Sequence, residues 1–535
     1  MTDTPEPRAP GSDPARDIIG APTIYLFLFL CGVATMGVEL TAVRLLAPHF
    51  GTSTIVWTNV ICVILVALSF GFLAGGAVAD RRPDASALSA LSLAAGLVLL
   101  VVPVVGPWVA TEAVPDDVPI ESGYASLLAS SLVVAAALFA PPVFLLGATT
   151  PVAYRLLVRD LPRAGRRLGV GATAATFGGI AGTYLPTLWL VPWLGTRRTL
   201  WAMAVVALVA AAIARLGARR AAAAAGAAAV GYLLSSGSPG RIGDTPIEER
   251  ETRYQYLAVR EAPDGARTLT ANEGRTGFQS AFVPGQVLSG GRYFDLFNVF
   301  AAKASAPGGP LRVLVLGFAG GTAAREIVHF FSPDRDVRID GVEIDPAAVD
   351  LGRRHLGLAE GVLRHVRLFH EDARTFVNRG PGPYELAIVD VYAHDVFIPF
   401  QVASLEFFEA LRRALAPEGL LVVNASVFVP DAPPLDRLAS TVARAFGEVA
   451  RYPIEHSQNV LLVAAKSGQV GPILLSRPAL PPGLEGVGRA FRPDRCRVIP
   501  ADALVEPLTD DRSPLEMETD ALLRRLSRSI ERSGP

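Results

Sequence analysis

Glu343, Asp372 and Asp390 each stand at the end of a short apolar run, and the first of them follows a glycine-rich turn, Gly317-Phe318-Ala319-Gly320-Gly321. A carboxylate that closes the second strand of a β-α-β unit can accept hydrogen bonds from both hydroxyls of a ribose. Glycines let the backbone turn tightly and approach a ligand closely. Glu343 lies 26 residues after Gly317, close to the spacing expected of such a unit. The constellation predicts a nucleoside-binding site. Taken singly, each acid could equally be a helix cap or a turn residue. Three acids at three strand ends point to one site, because doubly wound sheets bind ligands at the carboxyl ends of their strands.

The apolar pattern supplies the elements that must position these groups. Residues 312–316 and 337–342 read as strands on either side of a helix at 322–331. Helices at 347–356, 405–415 and 435–446 then alternate with strands at 366–369, 386–389, 420–424 and 460–464. That alternation predicts a mostly parallel, doubly wound α/β sheet of Rossmann type over residues 301–470. Strand-like alternation at 254–260 and 268–271 predicts a small β-rich lead-in over 251–300 that covers the ligand site. Residues 471–535 are left as a C-terminal extension.

The first half of the chain is of another kind. Hydrophobic residues make up 51% of the 535, with a mean hydropathy of +0.38, too apolar for a wholly soluble protein of this size. Stretches 24–46, 55–79, 88–110, 127–146, 170–194 and 199–213 each approach the length of a membrane span, and 221–234 is a shorter seventh candidate. They predict an α-helical transmembrane domain of six or seven spans over 21–235, after a disordered tail at 1–20 and before a Gly/Ser/Pro linker at 236–250. Arginines follow the second span (Arg81, Arg82), the fourth (Arg155, Arg159, Arg163, Arg166, Arg167) and the sixth (Arg215, Arg219, Arg220). The loop after the third is acidic, with Glu112, Asp116, Asp117 and Glu121. The positive-inside rule therefore places the α/β domain in the cytoplasm, whereas a seventh full span would place it outside. Glu39 and Arg44 lie at membrane depth, either as an ion pair inside the bundle or near the interface. A net charge of −1 gives no electrostatic case for nucleic acid. Cys31, Cys62 and Cys496 suggest neither a disulfide framework nor a metal site.

From about residue 251 to 466 the sequence resembles the spermidine synthase (aminopropyltransferase) family, a branch of the class I methyltransferase-like fold. The whole chain resembles bacterial proteins in which a major-facilitator-like membrane half is fused to a spermidine synthase. Their membrane half carries motifs similar to Glu39…Arg44-Leu45-Leu46-Ala47-Pro48…Phe50-Gly51 and to the glycine-rich segment from Gly71 to Arg82. The resemblance implies an integral protein of the bacterial inner membrane, surrounded in its first half by the lipid bilayer. It also implies decarboxylated S-adenosylmethionine, or S-adenosylmethionine itself, as co-substrate, an amine or polyamine acceptor and no metal, and it leaves a homodimer open.

Residue by residue, the family's glycine motif falls on Gly317, Gly320 and Gly321 and its ribose-binding acid on Glu343. Its adenine-contacting pair falls on Asp372-Ala373. Its Tyr-Gln pair falls on Tyr254-Gln255, its glutamine beside the sulfonium on Gln279, and its substrate-side tyrosine on Tyr293. Its reactive Asp-x-x-Asp-Pro motif begins at Asp390, which would serve as base, with Tyr392 and Asp395 as further substrate-side candidates. Two family aspartates are replaced, one by Ala393 and one by Gly320. A cationic amine needs carboxylates both to be bound and to lose a proton, so these losses bear on the acceptor. Two functions follow as expectations: transfer of an aminopropyl or other S-adenosyl-derived group to an amine, or a non-catalytic nucleoside- or polyamine-binding sensor or transporter-coupled module.

Overall fold

The computed structural model describes residues 19–50, 54–113, 120–158, 161–215, 246–272, 277–304, 308–392, 398–426, 432–455, 457–502, 505–515 and 518–519. They divide into a helical unit and an α/β unit.

Among the described residues of the helical unit, five segments are long and apolar enough to cross a membrane: Ala21–Ala47, Val56–Arg81, Ala85–Glu112, Ala129–Leu157 and Thr196–Ala214. The expected span at 170–194 is the exception. There helix Ala164–Leu185 passes into a π-helical turn, Pro186–Leu190, and a short helix, Val191–Leu194. The helical backbone nevertheless runs on through Pro186 to Leu194, and the Gly and Thr residues of the segment only make it less apolar than the other five. The candidate at 221–234 and most of the tail at 1–20 lie outside the described residues. Gly71 and Gly75, on helix Thr54–Arg81, sit where a Cβ would come within 2.4 Å of the Phe144 carbonyl oxygen and 2.2 Å of that of Ala148. Their four-residue spacing is thus a seam along which two helix backbones touch. Glu39 and Arg44 are both half-buried.

The α/β unit begins with a four-stranded antiparallel sheet, β1 (Glu248–Glu251), β2 (Tyr256–Glu261), β3 (Arg267–Ala271) and β4 (Ser280–Phe282), in that order. β1 starts inside the stretch read from sequence as linker. Leu257, Val259 and Leu269 of this sheet pack on Ala348, Leu351 and Leu356, from helix Pro346–His355 and its end.

The main sheet has eight strands. β5 (Leu311–Leu316), β6 (Val337–Val342), β7 (Val366–Phe369), β8 (Tyr384–Val389) and β9 (Leu415–Ser426) are parallel. β10 (Glu448–Pro453), β11 (Asn459–Ala465) and β12 (Arg497–Pro500) join antiparallel, giving the order β12-β10-β11-β9-β8-β5-β6-β7. The sheet is therefore mixed, where the sequence reading had it mostly parallel. Only a short connection separates β10 from β11, and a parallel pair needs a crossover of a dozen residues or more. β12 also draws the region read as a C-terminal extension into the sheet.

Both faces of the sheet are covered, and β5 shows how. Leu311, Val313 and Val315 face one core with Phe297, Phe300 and Phe331. Leu314 and Leu316 face the other, with Phe407, Phe408 and Phe446. The two-residue strand period separates them. All six phenylalanines are fully buried, and truncating any one to Ala would cost about 3–5 kcal/mol.

Candidate active site

The glycine turn is held from both sides. Gly317 and Phe318 donate their N–H groups to the Val342 carbonyl at the end of β6, each at 3.0 Å. Gly317 has φ +81°, and a Cβ there would lie 2.1 Å from the carbonyl oxygen of Asp390. The exit of β8 can press against the turn only because residue 317 has no side chain. Gly321 also has φ +81° and precedes helix Thr322–Phe331, while Ala319 is a non-glycine residue at φ +47°. β4 docks on the same turn. Gly320 N–H donates to Ser280 Oγ at 2.9 Å, and Thr322 Oγ1 both accepts from Ala281 N–H at 2.9 Å and donates to its carbonyl at 3.0 Å.

Glu343 follows β6 and is 8% exposed. Its Oε2 accepts from Ala319 N–H at 2.8 Å and its Oε1 from Asp345 N–H at 2.9 Å. Burial pushes the carboxyl up to about 7, against the pull of those backbone donors. Each oxygen keeps a second lone pair that a hydroxyl can use.

Asp390 stands on the other side of the turn. Tyr293, at the start of helix Tyr293–Lys303, donates its hydroxyl to Asp390 Oδ2 at 2.9 Å. Asn424, near the end of β9, donates Nδ2 to Oδ1 at 2.8 Å. Asn459 on β11 donates its own Nδ2 to Asn424 Oδ1 at 2.8 Å, which fixes the way the Asn424 amide faces. Burial pushes the Asp390 carboxyl up to about 6, and the Asn424 and Tyr293 hydrogen bonds oppose it. Burial, with the Asp390 charge behind it, holds the Tyr293 phenol well above its ordinary value.

The structure thus gathers Gly317, Gly320, Gly321, Glu343, Tyr293 and Asp390 around one turn. The other expected residues are placed differently. Asp372 caps helix Ala373–Asn378, its Oδ1 accepting from Thr375 N–H at 3.0 Å, with Ala373 buried behind it. The Gln255 side chain hydrogen-bonds Asp345, whose other partners are the Thr252 hydroxyl at 2.7 Å and Ala347 N–H at 3.1 Å. Gln279 is half-buried beside β4, and its N–H donates to the Leu269 carbonyl at 2.7 Å. Tyr254 is exposed. Tyr392 is tied to the end of β9, donating to the Asn424 carbonyl at 2.7 Å and accepting from Ser426 N–H at 2.6 Å. Ala393 and Asp395 lie outside the described residues. Sequence reading missed Asn424, Asn459, Ser280 and Asp345. Asn424 carried a usable signal, being a polar residue closing the strand read at 420–424.

Residues 300–453 match the spermine/spermidine synthase domain, and that span contains the glycine turn, Glu343, Asp372, Asp390 and Asn424. The chain is 30% identical over 223 residues to the "Probable polyamine aminopropyl transferase" of Bifidobacterium longum, covering 41% of this chain and 47% of that one. It is 28% identical over 457 residues to "Polyamine aminopropyltransferase 2" of Streptomyces coelicolor, covering 78% of this chain and 76% of that one. The chain therefore spans about half the length of the first relative. The second match takes in more of this chain than the synthase-type unit alone, so it reaches into the helical unit. Among solved structures, a probable spermidine synthase from Corynebacterium glutamicum aligns with 22% identity and a TM-score of 0.34, over 46% of this chain and 96% of that one.

Proposed function

We propose that the synthase-type domain transfers an aminopropyl group from decarboxylated S-adenosylmethionine to an amine. The observation that carries this reading is Asp390, a carboxylate beside the glycine turn with an elevated pKa, aimed by two neutral donors, Tyr293 and Asn424. A carboxyl tuned toward the operating pH is suited to taking a proton from an ammonium group.

In this reading Glu343 accepts from the ribose hydroxyls, and Asp372 keeps one oxygen free of its cap for the adenine edge. Gln279 and the glycine turn line the sulfonium side. Asp390 takes a proton from the acceptor's ammonium. The freed nitrogen lone pair attacks the propyl carbon bonded to sulfur. The carbon–sulfur bond breaks, its electron pair stays on sulfur, and the donor leaves as a neutral thioether. The relatives named as polyamine aminopropyltransferases support this donor chemistry over the use of S-adenosylmethionine itself.

The five long apolar helices support anchorage in a membrane, and with the helical segment 164–194 as a sixth crossing the arginines at Arg81, Arg82, Arg155 and Arg163 support a cytoplasmic synthase domain. Purified full-length protein given labelled decarboxylated S-adenosylmethionine and a panel of mono-, di- and polyamines should pass label to at least one amine. Unlabelled amines throughout, with the donor left intact, would remove the transferase reading. A parallel incubation with labelled S-adenosylmethionine separates aminopropyl from methyl transfer.

A further inference from the structure

Behind the site lies a second acidic pair that this chemistry does not use. Glu326, on helix Thr322–Phe331, is fully buried. Its Oε2 accepts from Asn298 Nδ2 at 2.8 Å, while its Oε1 is buried with no donor among the described residues. The same Asn298 Nδ2 donates to the Asp295 carbonyl at 3.1 Å, which brings Glu326 beside Asp295 on the facing helix Tyr293–Lys303, with the two carboxyls next to each other. Two neighbouring carboxylates repel unless a proton lies between them. Asp295 is the better acceptor of the two, with three of its four lone-pair sites already filled by donors. Its Oδ1 accepts from Ser289 N–H at 2.7 Å and from the Ser289 hydroxyl, and its Oδ2 accepts from Gly291 N–H at 2.8 Å.

The charges around the pair do not balance without that proton. The cation facing it is Arg325, whose guanidinium lies over the Phe282 ring at 5.1 Å and reaches the Ala281 carbonyl at 3.4 Å. One guanidinium offsets one carboxylate, and burying a second as an anion is costly. Burial and the Asp295 charge both favour the neutral form of Glu326.

We propose that Glu326 is held as a neutral acid that donates its proton to Asp295, and that this pair anchors the Ser289–Gly291 turn from which Tyr293 is aimed at Asp390. Gly290 and Gly291 both have φ +83°, so the turn has little conformational preference of its own to hold it. Asp295 pins it by three hydrogen bonds, and Tyr293 starts the helix just beyond. Glu326 and Asp295 are positioning residues. They act on the site through the backbone of one turn.

This inference concerns the site read above as a transferase centre, yet its test needs no turnover. Infrared difference spectra at neutral pH between the full-length protein and Glu326→Gln should show a protonated-carboxyl stretch that the variant lacks. Its absence overturns the neutral acid. Amide hydrogen exchange at Ser289 and Gly291 supplies the second arm. Glutamine can donate to Asp295 and accept from Asn298, so Glu326→Gln should keep the protection of the parent. Glu326→Ala should lower it about 10-fold or more at those two amides, ahead of the rest of the domain. Equal protection in Glu326→Ala overturns the anchoring role, and loss of protection in Glu326→Gln overturns the donor role. An absence of transfer activity leaves both arms readable, and failure of both arms leaves the transferase reading standing.

Discussion

Tyr293 donates its hydroxyl to Asp390 across 2.9 Å, although the two residues lie 97 positions apart. Asn424 holds the other carboxylate oxygen, so Asp390 is oriented from two sides while its backbone seals the glycine turn. A base held in this way loses little orientation freedom when a substrate arrives.

Replacing that base should stop the chemistry and spare binding. Asp390→Asn is expected to lower turnover about 100-fold or more, with donor affinity little changed. Steady-state kinetics set beside calorimetric binding of the donor will check it. A variant with full turnover per folded molecule would make Asp390 a structural residue.

The partners of Asp390 should be visible in the pH profile. Turnover should rise with pH through about 6 as the carboxyl ionises. The Tyr293 hydrogen bond favours the ionised form, so Tyr293→Phe should move that limb to higher pH, besides lowering turnover about 10-fold. A limb that stays in place in the Phe variant would mean that another group titrates there.

Glu343 should couple donor binding to pH. Its ionised form is the better acceptor for two ribose hydroxyls, so donor affinity should rise as pH climbs through about 7. Glu343→Gln should weaken binding about 10-fold and flatten that dependence. Stability runs the other way. The carboxyl is raised from its ordinary 4.5 to about 7 in the folded state, so its contribution is full below 4.5 and is lost as pH rises through about 7. Melting curves of the parent and Glu343→Gln between pH 5 and pH 8 should therefore diverge, with the parent losing more.

Gly317 tests the turn itself. An alanine Cβ there meets the Asp390 carbonyl at 2.1 Å, at a φ of +81°. Gly317→Ala should destabilise the domain by more than about 1 kcal/mol and depress donor binding as well, because β8 must move away from the turn. Unchanged melting and binding would show that the two backbones are not in contact.

For the helical unit, a reporter fused after residue 240 should report a cytoplasmic position, and the protein should need detergent for extraction. An extracytoplasmic signal would mean that 221–234 completes a further crossing.

Much of this protein is written locally in its chain. The glycine turn, the strand ends at Glu343 and Asp390, and the alternation that buries both faces of β5 depend on residues a few positions apart, so composition and period reveal them. The cap at Asp372 is equally local. The long apolar helices follow from composition alone, whereas the π turn that begins at Pro186 does not. The antiparallel edge was not legible, because Glu448 and Arg451 break the apolar run of β10 and β12 arrives from a distant segment. The environment of Asp390 was least legible of all. Asn424 and Asn459 meet only because β9 and β11 are neighbours in the folded sheet. Ser280 reaches Gly320 only because a separate small sheet docks there, and Glu326 meets Asp295 only because two helices pack on the same face. Short-range spacing determined which groups could do chemistry. Strand order and helix packing decided which of them touch, because these bring together residues that no local pattern relates.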